Sequence, residues 1–310
     1  MSPSPVIPIW HSTSALNGKS KSFWQDKRVF ITGASSGIGS ALAKYLQQRG
    51  ARVGLIARRQ APLEALSRQL THNARTQQPA AQTASPQHIA WACADVTRTE
   101  EVEQAVQQLE QALGTCDVMI ANAGIYHKTD VQDFNSAGQN AVIATNTQGV
   151  INSVGAVMPG MLQRKSGHIA AVASVAGMIG LPGAAAYSAS KAAVVTLFQS
   201  LRTDLHAHGI KACVAAPGFV DTPLITDEER ATVKDLLTAE QAAEHICRTI
   251  ERDKALHWFP WPTWLVCRLL SLLPDRLYRP LVANIPDMEE TPGHSSPQPT
   301  SPHPQTEAKS

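Results

Sequence analysis

The chain has 310 residues, of which 43% are hydrophobic and 17% are charged, so it has enough apolar side chains to bury a sizeable core. Lysine and arginine exceed aspartate and glutamate by 27 − 25 = +2, and so small a net charge excludes a global field that would recruit nucleic acid or an acidic membrane. No helix-turn-helix, zinc-finger or aromatic-basic pattern favours nucleic-acid binding either. The five cysteines are scattered and never spaced as CxxC, so we expect neither a disulfide framework nor a metal site.

The two ends of the chain differ in composition from the rest. Residues 1–24 carry several Pro and Ser, and residues 287–310 are rich in Pro, Ser, Thr and Glu. We expect both ends to be disordered, because neither could bury a core. The N-terminus lacks the basic and apolar regions of a secretory signal, and no stretch reaches the roughly 20 apolar residues of a transmembrane helix. The sequence therefore predicts a cytoplasmic protein.

Between the ends, short apolar runs alternate with stretches long enough for helices. The predicted strands are Arg28–Thr32, Arg52–Ala57, His88–Cys93, Asp117–Ala121, His168–Ser174 and Lys211–Ala216. Their residues do not alternate strictly between apolar and polar, which is typical of strands buried on both faces. This order predicts an α/β fold, with one doubly wound parallel sheet flanked by helices over residues 25–255. A hydrophobic helical extension is predicted over residues 256–286.

Three connecting segments carry further predictions. Residues 71–87 are rich in Ala, Gln, Thr and Pro and are expected to form a surface loop. Residues 220–237 follow the sixth strand and are placed to fold over a ligand as a lid. Thr238 followed by Gln241 is a capping-box pattern, which predicts a helix over about Ala239–Arg252.

A glycine-rich turn follows the first predicted strand and opens a predicted helix. Its spacing is Gly-x-x-x-Gly-x-Gly. Glycines permit a tight turn and a close approach of the backbone, and the following helix N-terminus suits the pyrophosphate of a dinucleotide. The cofactor-binding residues predicted in this turn are Gly33, Ser35, Ser36, Gly37, Ile38 and Gly39.

Two arginines end the second predicted strand, where an NAD site would usually place an acid for the ribose 2′-hydroxyl. Arg58 and Arg59 offer planar, permanently charged groups that suit a 2′-phosphate. The pattern therefore favours NADP(H) over NAD(H). The alternative is that one of them, Arg59 above all, is a solvated charge at a helix entry.

Tyr187 and Lys191 are four residues apart and so share one face of a predicted helix. A phenol with a pKa of about 10 is a poor base at neutral pH, and a neighbouring ammonium lowers that pKa. The pair could therefore perform general acid/base catalysis. By itself, such a spacing also fits an exposed amphipathic helix face.

In this context the chain resembles the short-chain dehydrogenase/reductase family, from about Lys27 to Arg252. The matching motifs occur in the family's order and are TGASSGIG at 32–39, Asp95, Asn122-Ala123-Gly124, Asn146, Ser174, YSASK at 187–191, and Pro217-Gly218 followed by Thr222. One departure is Ala121, where the family often has Asn, and we expect it to alter packing only. The resemblance implies a Rossmann-type fold and a homodimer or homotetramer.

The resemblance also implies residue roles. Tyr187 would exchange the proton of the substrate oxygen, which Ser174 would polarise. Lys191 would hold the nicotinamide ribose and lower the pKa of Tyr187, and Asn146 would support a water in the proton relay. The remaining implied cofactor contacts are Asp95 and Val96 at the adenine, Asn122, Ala123 and Gly124 near the adenosine ribose, and Pro217, Gly218, Val220 and Thr222 at the carboxamide.

Apolar residues in the segments expected around a substrate suggest a hydrophobic pocket; they are Met178, Ile179, Leu181 and Leu224. The predicted function is therefore an NADP(H)-dependent oxidoreductase that interconverts a carbonyl and a secondary alcohol, on a hydrophobic substrate. The alternative is a catalytically silent NADP(H)-binding regulator. The presence of Ser174, Tyr187 and Lys191 disfavours it.

Residues 258–279 combine aromatic and aliphatic bulk with Arg268, Arg276 and Arg279, and three of the six tryptophans lie there. The run 263–273 is too short to span a bilayer. Four interpretations stay open: a helix lying in a membrane interface, a flap over the substrate entrance, a subunit contact, or a last strand and helix packed on the same core.

Overall fold

The computed structural model describes residues 22–77, 88–225, 230, 233 and 236–282. The sequence-based expectations for residues 1–21 and 283–310, and for the end of the connection at 78–87, lie outside these ranges.

A seven-stranded parallel sheet forms the centre of the fold, in the order β3-β2-β1-β4-β5-β6-β9. Its strands are β1 (Arg28–Thr32), β2 (Arg52–Ala57), β3 (Ile89–Cys93), β4 (Val118–Ala121), β5 (Gly167–Val172), β6 (Ile210–Pro217) and β9 (Leu256–Phe259). A separate parallel pair is formed by β7 (Val220–Asp221) and β8 (Leu237–Thr238). The doubly wound parallel sheet predicted from the sequence is confirmed, and all six predicted strands form.

Helices cover both faces of this sheet. They are α1 (Gly37–Gln47), α2 (Gln60–Gln77), α3 (Thr99–Leu113), α4 (Ser136–Ile143), α5 (Gly149–Arg164), α6 (Ala185–His206), α7 (Ala239–Glu251), α8 (Trp261–Leu270) and α9 (Asp275–Val282). Side chains alternate along a strand, so Ile31 packs in the cluster shared with α1, α2 and α7, and Phe30 in the cluster shared with α3, α5 and α6. The apolar strands therefore bury both faces, as predicted.

The start of α7 follows the predicted capping box. The Thr238 hydroxyl accepts a hydrogen bond from the backbone N–H of Gln241 at 3.1 Å, and the Gln241 side chain accepts one from the backbone N–H of Thr238 at 2.9 Å. Two backbone donors that the first turn leaves free are thus satisfied. The helix predicted over Ala239–Arg252 is confirmed, ending at Glu251.

Two predicted boundaries are corrected by the packing. Trp24 was assigned to a disordered segment over 1–24, but its side chain is fully buried and its indole N–H donates to the Glu251 carboxylate. The segment 71–87 was expected to be a loop, but α2 continues through Gln77. Trp24 is ordered by packing in the cluster on one face of the sheet, and residues 71–77 continue the helical hydrogen bonding of α2.

A third correction concerns the C-terminal boundary. The catalytic domain was expected to end at residue 255, but β9 pairs with β6, so the sheet continues to Phe259. The extension predicted over 256–286 therefore begins with the last strand of the sheet, and α8 and α9 follow it. Across the described ranges, no helix combines the length and hydropathy that crossing a bilayer would need.

The burial of Phe259 makes the role of β9 testable. This side chain is 1% exposed and stacks on His245, with 4.6 Å between the ring centroids. We expect Phe259→Ala to lower the free energy of unfolding by about 3–5 kcal/mol, because it leaves a cavity in the core. Urea unfolding followed by circular dichroism measures this, with Leu272→Ala as the control because Leu272 is exposed. A nearly neutral Phe259→Ala would place β9 outside the core.

Candidate active site

The carboxyl ends of the parallel strands meet at one edge of the sheet, where a cavity of about 640 Å³ opens. The strand order reverses between β1 and β4, so the connections on either side run in opposite directions. Such a reversal leaves a crevice outside the carboxyl ends of the strands, and ligands of open α/β sheets bind there.

This cavity gathers nearly all the site residues predicted from the sequence. Gly39 and Asn146 are the two that do not line it. The predicted residues that line it are Gly33, Ser35, Ser36, Gly37, Ile38, Arg58, Arg59, Asp95, Val96, Asn122, Ala123, Gly124, Ser174, Tyr187, Lys191, Pro217, Gly218, Val220 and Thr222. Residues from seven separate chain segments thus converge on one space.

Glycines at two positions of the turn after β1 are required by the close approach of neighbouring backbone. A Cβ on Gly33 would lie 2.7 Å from the Cα of Ala123, and Gly33 also has a φ of +67°. A Cβ on Gly39 would lie 2.1 Å from the carbonyl oxygen of Gly33. Both contacts are far too short for a side chain. Gly39 therefore shapes the turn from behind, while α1 begins at Gly37 with its N-terminus at the cavity.

Asn122 fastens the glycine turn to the end of β4. Its side-chain amide donates to the carbonyl oxygen of Thr32 at 3.0 Å, and its backbone N–H donates to the Thr32 hydroxyl at 3.1 Å. The backbone N–H of Ala123 donates to the same hydroxyl at 3.2 Å. The two sides of the crevice are thus held in a fixed register. The side chain of Asn122 orders the protein itself as well as lining the cavity.

Arg58 and Asp95 face each other at the end of the cavity formed by β2 and β3. An Arg58 guanidinium nitrogen lies 3.9 Å from an Asp95 carboxylate oxygen, and more than half of the arginine side chain is exposed. The Asp95 carboxylate also accepts from the backbone N–H and the hydroxyl of Thr97, at 2.9 and 2.8 Å. Asp95 is therefore fixed, whereas Arg58 is held only by a long ion pair and has donors to offer a ligand.

Tyr187 and Ser174 bring two hydroxyls together in the middle of the cavity. They are hydrogen-bonded to each other, and Ser174 also accepts from the backbone N–H of Ala176 at 3.2 Å. Burial raises the pKa of Tyr187 above its ordinary value, although the Ser174 hydrogen bond acts in the opposite direction. Lys191 is not among the causes of this shift, and the role that the resemblance gives it in lowering the pKa of Tyr187 stays a prediction.

The Lys191 ammonium lies beside the Tyr187 ring. Its Nζ is 5.6 Å from the centroid of that ring and donates to the carbonyl oxygen of Val172 at 3.0 Å. Burial lowers the pKa of Lys191 from 10.5 to about 8. A buried ammonium with a lowered pKa can give up or take a proton near neutral pH.

Asn146 lies behind the cavity in a π-helical turn, Ala144–Gln148, between α4 and α5. Its side chain is fully buried and accepts from the backbone N–H of Ile125 at 2.8 Å. It donates to the carbonyl oxygen of Ile125 at 2.9 Å and to the Ser190 hydroxyl at 3.1 Å. The side chain thus ties the end of β4 to α6. A single π turn inside a helix commonly marks a functional site.

The first turn of α6 is capped by residues from another part of the chain, which sequence reasoning missed. The backbone N–H of Ala185 donates to the Thr129 hydroxyl at 3.0 Å, and that of Ala186 donates to the Gln139 side chain at 3.4 Å. Thr129 and Gln139 are themselves hydrogen-bonded at 2.9 Å. The sequence offers one signal for this capping. Ala184 precedes the helix and has no side chain that can cap it, so the free N–H groups of the first turn need partners from another segment.

Tyr126 is a second residue that the sequence did not single out. Its ring meets the Tyr187 ring edge to face, with centroids 5.6 Å apart, and its hydroxyl donates to the carbonyl oxygen of Gly183 at 2.8 Å. This contact restricts the orientation of the Tyr187 ring. The next residue, His127, does not line the cavity and contacts Asn135.

The far end of the cavity is apolar. Of the four residues expected there, Ile179, Leu181 and Leu224 line it and Met178 does not. Helix α8 supplies further lining residues that the sequence did not identify, which are Pro262, Thr263, Val266, Cys267 and Leu270. The C-terminal segment therefore forms part of the wall of this cavity.

Comparison with known proteins gives a consistent result. A family model described as short chain dehydrogenase matches residues 27–232. An uncharacterized oxidoreductase from Myxococcus xanthus is 34% identical over 252 residues, covering 81% of this chain and 94% of that protein. A dehydrogenase/reductase SDR family member 7B from Bos taurus is 32% identical over 279 residues, covering 86% of this chain and 83% of that protein.

Among solved structures, a short-chain dehydrogenase/reductase from Burkholderia phymatum, in complex with NAD, has the same fold. It superposes with a TM-score of 0.69 and 23% sequence identity, over 79% of this chain and 93% of that one. The family model spans well over half of the chain, and the matched range includes the glycine turn, Ser174, Tyr187 and Lys191. The chain therefore belongs to the short-chain dehydrogenase/reductase family of oxidoreductases.

Proposed function

We propose that the chain is an NADP(H)-dependent oxidoreductase that interconverts a carbonyl and a secondary alcohol on an apolar substrate, with Tyr187 as the general acid and base. One observation carries this proposal. The hydroxyls of Ser174 and Tyr187 and the ammonium of Lys191 line the same cavity as the glycine turn and the N-terminus of α1. Proton transfer and dinucleotide binding are thereby supported in one space.

The residues at the reversal point fit a dinucleotide. Gly33 and Gly39 leave no room for side chains, and the free N–H groups at the start of α1 suit a pyrophosphate. The Burkholderia structure is a complex with NAD, which supports a nicotinamide cofactor here as well. Such a cofactor, when bound, supplies or accepts the hydride, and the protein contributes position and electrostatics. Asp95, Val96 and the segments 122–124 and 217–222 would hold it.

In the reductive direction Tyr187 donates a proton to the substrate oxygen. Its raised pKa keeps the phenol protonated at neutral pH, which suits a proton donor. Ser174, held by the backbone N–H of Ala176, directs its hydroxyl toward the same oxygen. Lys191, with a pKa of about 8, is placed to restore the proton of Tyr187 through a hydroxyl or water between them. Asn146 would support that relay by fixing α6.

The apolar end of the cavity favours a hydrophobic carbonyl compound. Ile179 and Leu181 approach from the segment after Ser174, and Val266 and Leu270 approach from α8. A substrate that buries apolar surface against these side chains gains binding energy away from the reacting carbon, which helps to orient it. A cytoplasmic location and a homodimer or homotetramer remain predictions of the sequence.

Substitution of Tyr187 tests the catalytic assignment. We expect Tyr187→Phe to lower turnover by about 10²–10⁴-fold, because it removes the proton donor and leaves the ring in place. NADPH oxidation on a panel of aliphatic, aromatic and polyketide-like ketones measures turnover, and fluorescence titration should give nearly unchanged NADPH affinity. Tyr45→Phe, on α1, is the control. Full activity in Tyr187→Phe would contradict the proposal, and NADPH binding by the unmodified protein without turnover on any ketone would favour the silent regulator.

Substitution of Arg58 tests the cofactor preference. We expect Arg58→Ala to weaken NADPH binding by about 10–100-fold, the usual effect of losing hydrogen bonds to a charged group, and to leave NADH binding nearly unchanged. Arg59→Ala measures any contribution of the second arginine. Arg68→Ala is the control, since Arg68 is exposed and pairs with Glu64 on α2. Equal affinity of the unmodified protein for NADPH and NADH would contradict the preference.

The burial of Lys191 predicts a pH-dependent stability. Its pKa is about 8 in the folded protein and 10.5 when unperturbed, so the unfolded chain binds more protons between these values. The cost of burying the ammonium is complete below pH 8 and declines as the pH rises toward 10.5. We expect Lys191→Met to raise the melting temperature of the cofactor-free protein at pH 7 by several degrees, with a smaller gain at pH 10. Lys254→Met is the control, because Lys254 is exposed. An equal rise in the melting temperature of Lys191→Met at pH 7 and pH 10 would show that the burial of the ammonium is not the cause.

A further inference from the structure

Helix α8 has an apolar face that points away from the protein. Trp261, Leu265 and Leu269 lie on one side of α8 at intervals of four residues, and Leu272 continues this stripe in the turn that follows the helix. They are 71%, 39%, 57% and 65% exposed. These four residues are called the outer face below. A stripe of large apolar side chains is normally turned inward, so its exposure requires an explanation.

The apolar surface continues onto α9. Leu277 and Leu281, one helical turn apart, are 52% and 58% exposed. The hydroxyl of Tyr278 donates to the carbonyl oxygen of Gly180, which anchors α9 beside the cavity. Of the thirteen exposed large hydrophobic residues in the described part of the chain, seven lie between residues 261 and 281. The exposed apolar surface is therefore concentrated in these two helices.

Positive charge accompanies this apolar surface on α8 and α9. Arg268, Arg276 and Arg279 are exposed, and Asp275 is the single acid between residues 261 and 282. Asp275 pairs with Arg279 at 2.7 Å, so the arginines still exceed the acids by two. Apolar side chains with tryptophan on one side and arginines at the edge are the pattern of a helix that lies in the interface of an anionic membrane.

We propose that the outer face of α8, together with α9, binds the surface of an anionic lipid bilayer. The ten residues of α8 are too few to cross a membrane, which fits a helix lying in the plane of the interface. A second copy of this chain is a poorer occupant. In a two-fold contact the patch would meet itself, and its arginines would face arginines.

The opposite side of α8 lines the active-site cavity, through Thr263, Cys267 and Leu270. Val266 lines the cavity and is also 56% exposed, so the rim of the cavity and the membrane-facing surface meet at this residue. A bilayer against the outer face would thus lie about one helix diameter from the cavity, roughly 10 Å. Membrane binding itself does not depend on the proposed function.

Vesicle flotation tests the proposal with the full chain and without cofactor. Vesicles of phosphatidylcholine alone are compared with vesicles of phosphatidylcholine and phosphatidylserine in equal parts. We expect the protein to float with the anionic vesicles and much less with the neutral ones. The double variant Leu265→Ser, Leu269→Ser should lower the partition coefficient by about tenfold or more, because two leucines no longer enter the interface. The double variant Arg268→Gln, Arg276→Gln should bind less to the anionic vesicles, and its binding to the neutral vesicles should not change.

The controls separate membrane binding from other causes. Val131→Ser with Phe134→Ser changes two exposed apolar residues elsewhere, 86% and 58% exposed, and should leave flotation unchanged. Circular dichroism shows whether each variant is folded. NADPH titration measures cofactor binding independently of flotation, so a failure of the proposed function can be distinguished from a failure of membrane binding. No flotation with anionic vesicles would overturn the proposal. Light scattering without lipid compares the oligomeric states. If the unmodified chain is an oligomer and the Leu265→Ser, Leu269→Ser variant is a monomer, the patch binds a second copy of the chain instead.

Discussion

The reversal of strand order between β1 and β4 is the constraint on which the rest of the molecule depends. Connections leave these neighbouring strands toward opposite faces of the sheet, so neither connection covers the space between their carboxyl ends. The hydrogen bonds of Asn122 to Thr32 keep that space at a fixed width. Every functional segment, from the glycine turn to α8, reaches the cavity from this edge, and the remaining sheet serves to hold the edge rigid.

The proton-transfer residues depend on a second constraint, the placement of α6. Its first turn is capped by Thr129 and Gln139 from the segment after β4, and its middle is tied to the π turn through Asn146 and Ser190. These bonds connect α6 to the same crevice that the glycine turn forms. The distance from the glycine turn to Tyr187 is therefore set by short polar contacts, which tolerate less variation than apolar packing does.

The sequence predicted the sheet, the capped helix α7 and nearly all the cavity residues, because each leaves a local signal: an apolar run, a capping box, or a motif at fixed spacing. The sequence did not predict features that depend on a contact with a residue far away in the chain. Trp24 is buried because Glu251 and the sheet receive it, and β9 extends the sheet because β6 has a free edge. Gln139 and Tyr126 carry no motif at all. The spacing of Tyr187 and Lys191 likewise does not reveal that the ammonium donates to the carbonyl oxygen of Val172.

The burial of Lys191 has a consequence for the amount of protein that a cell maintains. Burial is the cause of its lowered pKa, and within the described part of the chain no carboxylate offsets it. A ligand that binds this cavity in the native state and not in the unfolded chain shifts the folding equilibrium toward the native protein, in proportion to the logarithm of its concentration. Since proteases remove chains that unfold, the supply of such a ligand would set the lifetime of the protein. Enzyme level and cofactor level would then rise and fall together without any change in gene expression.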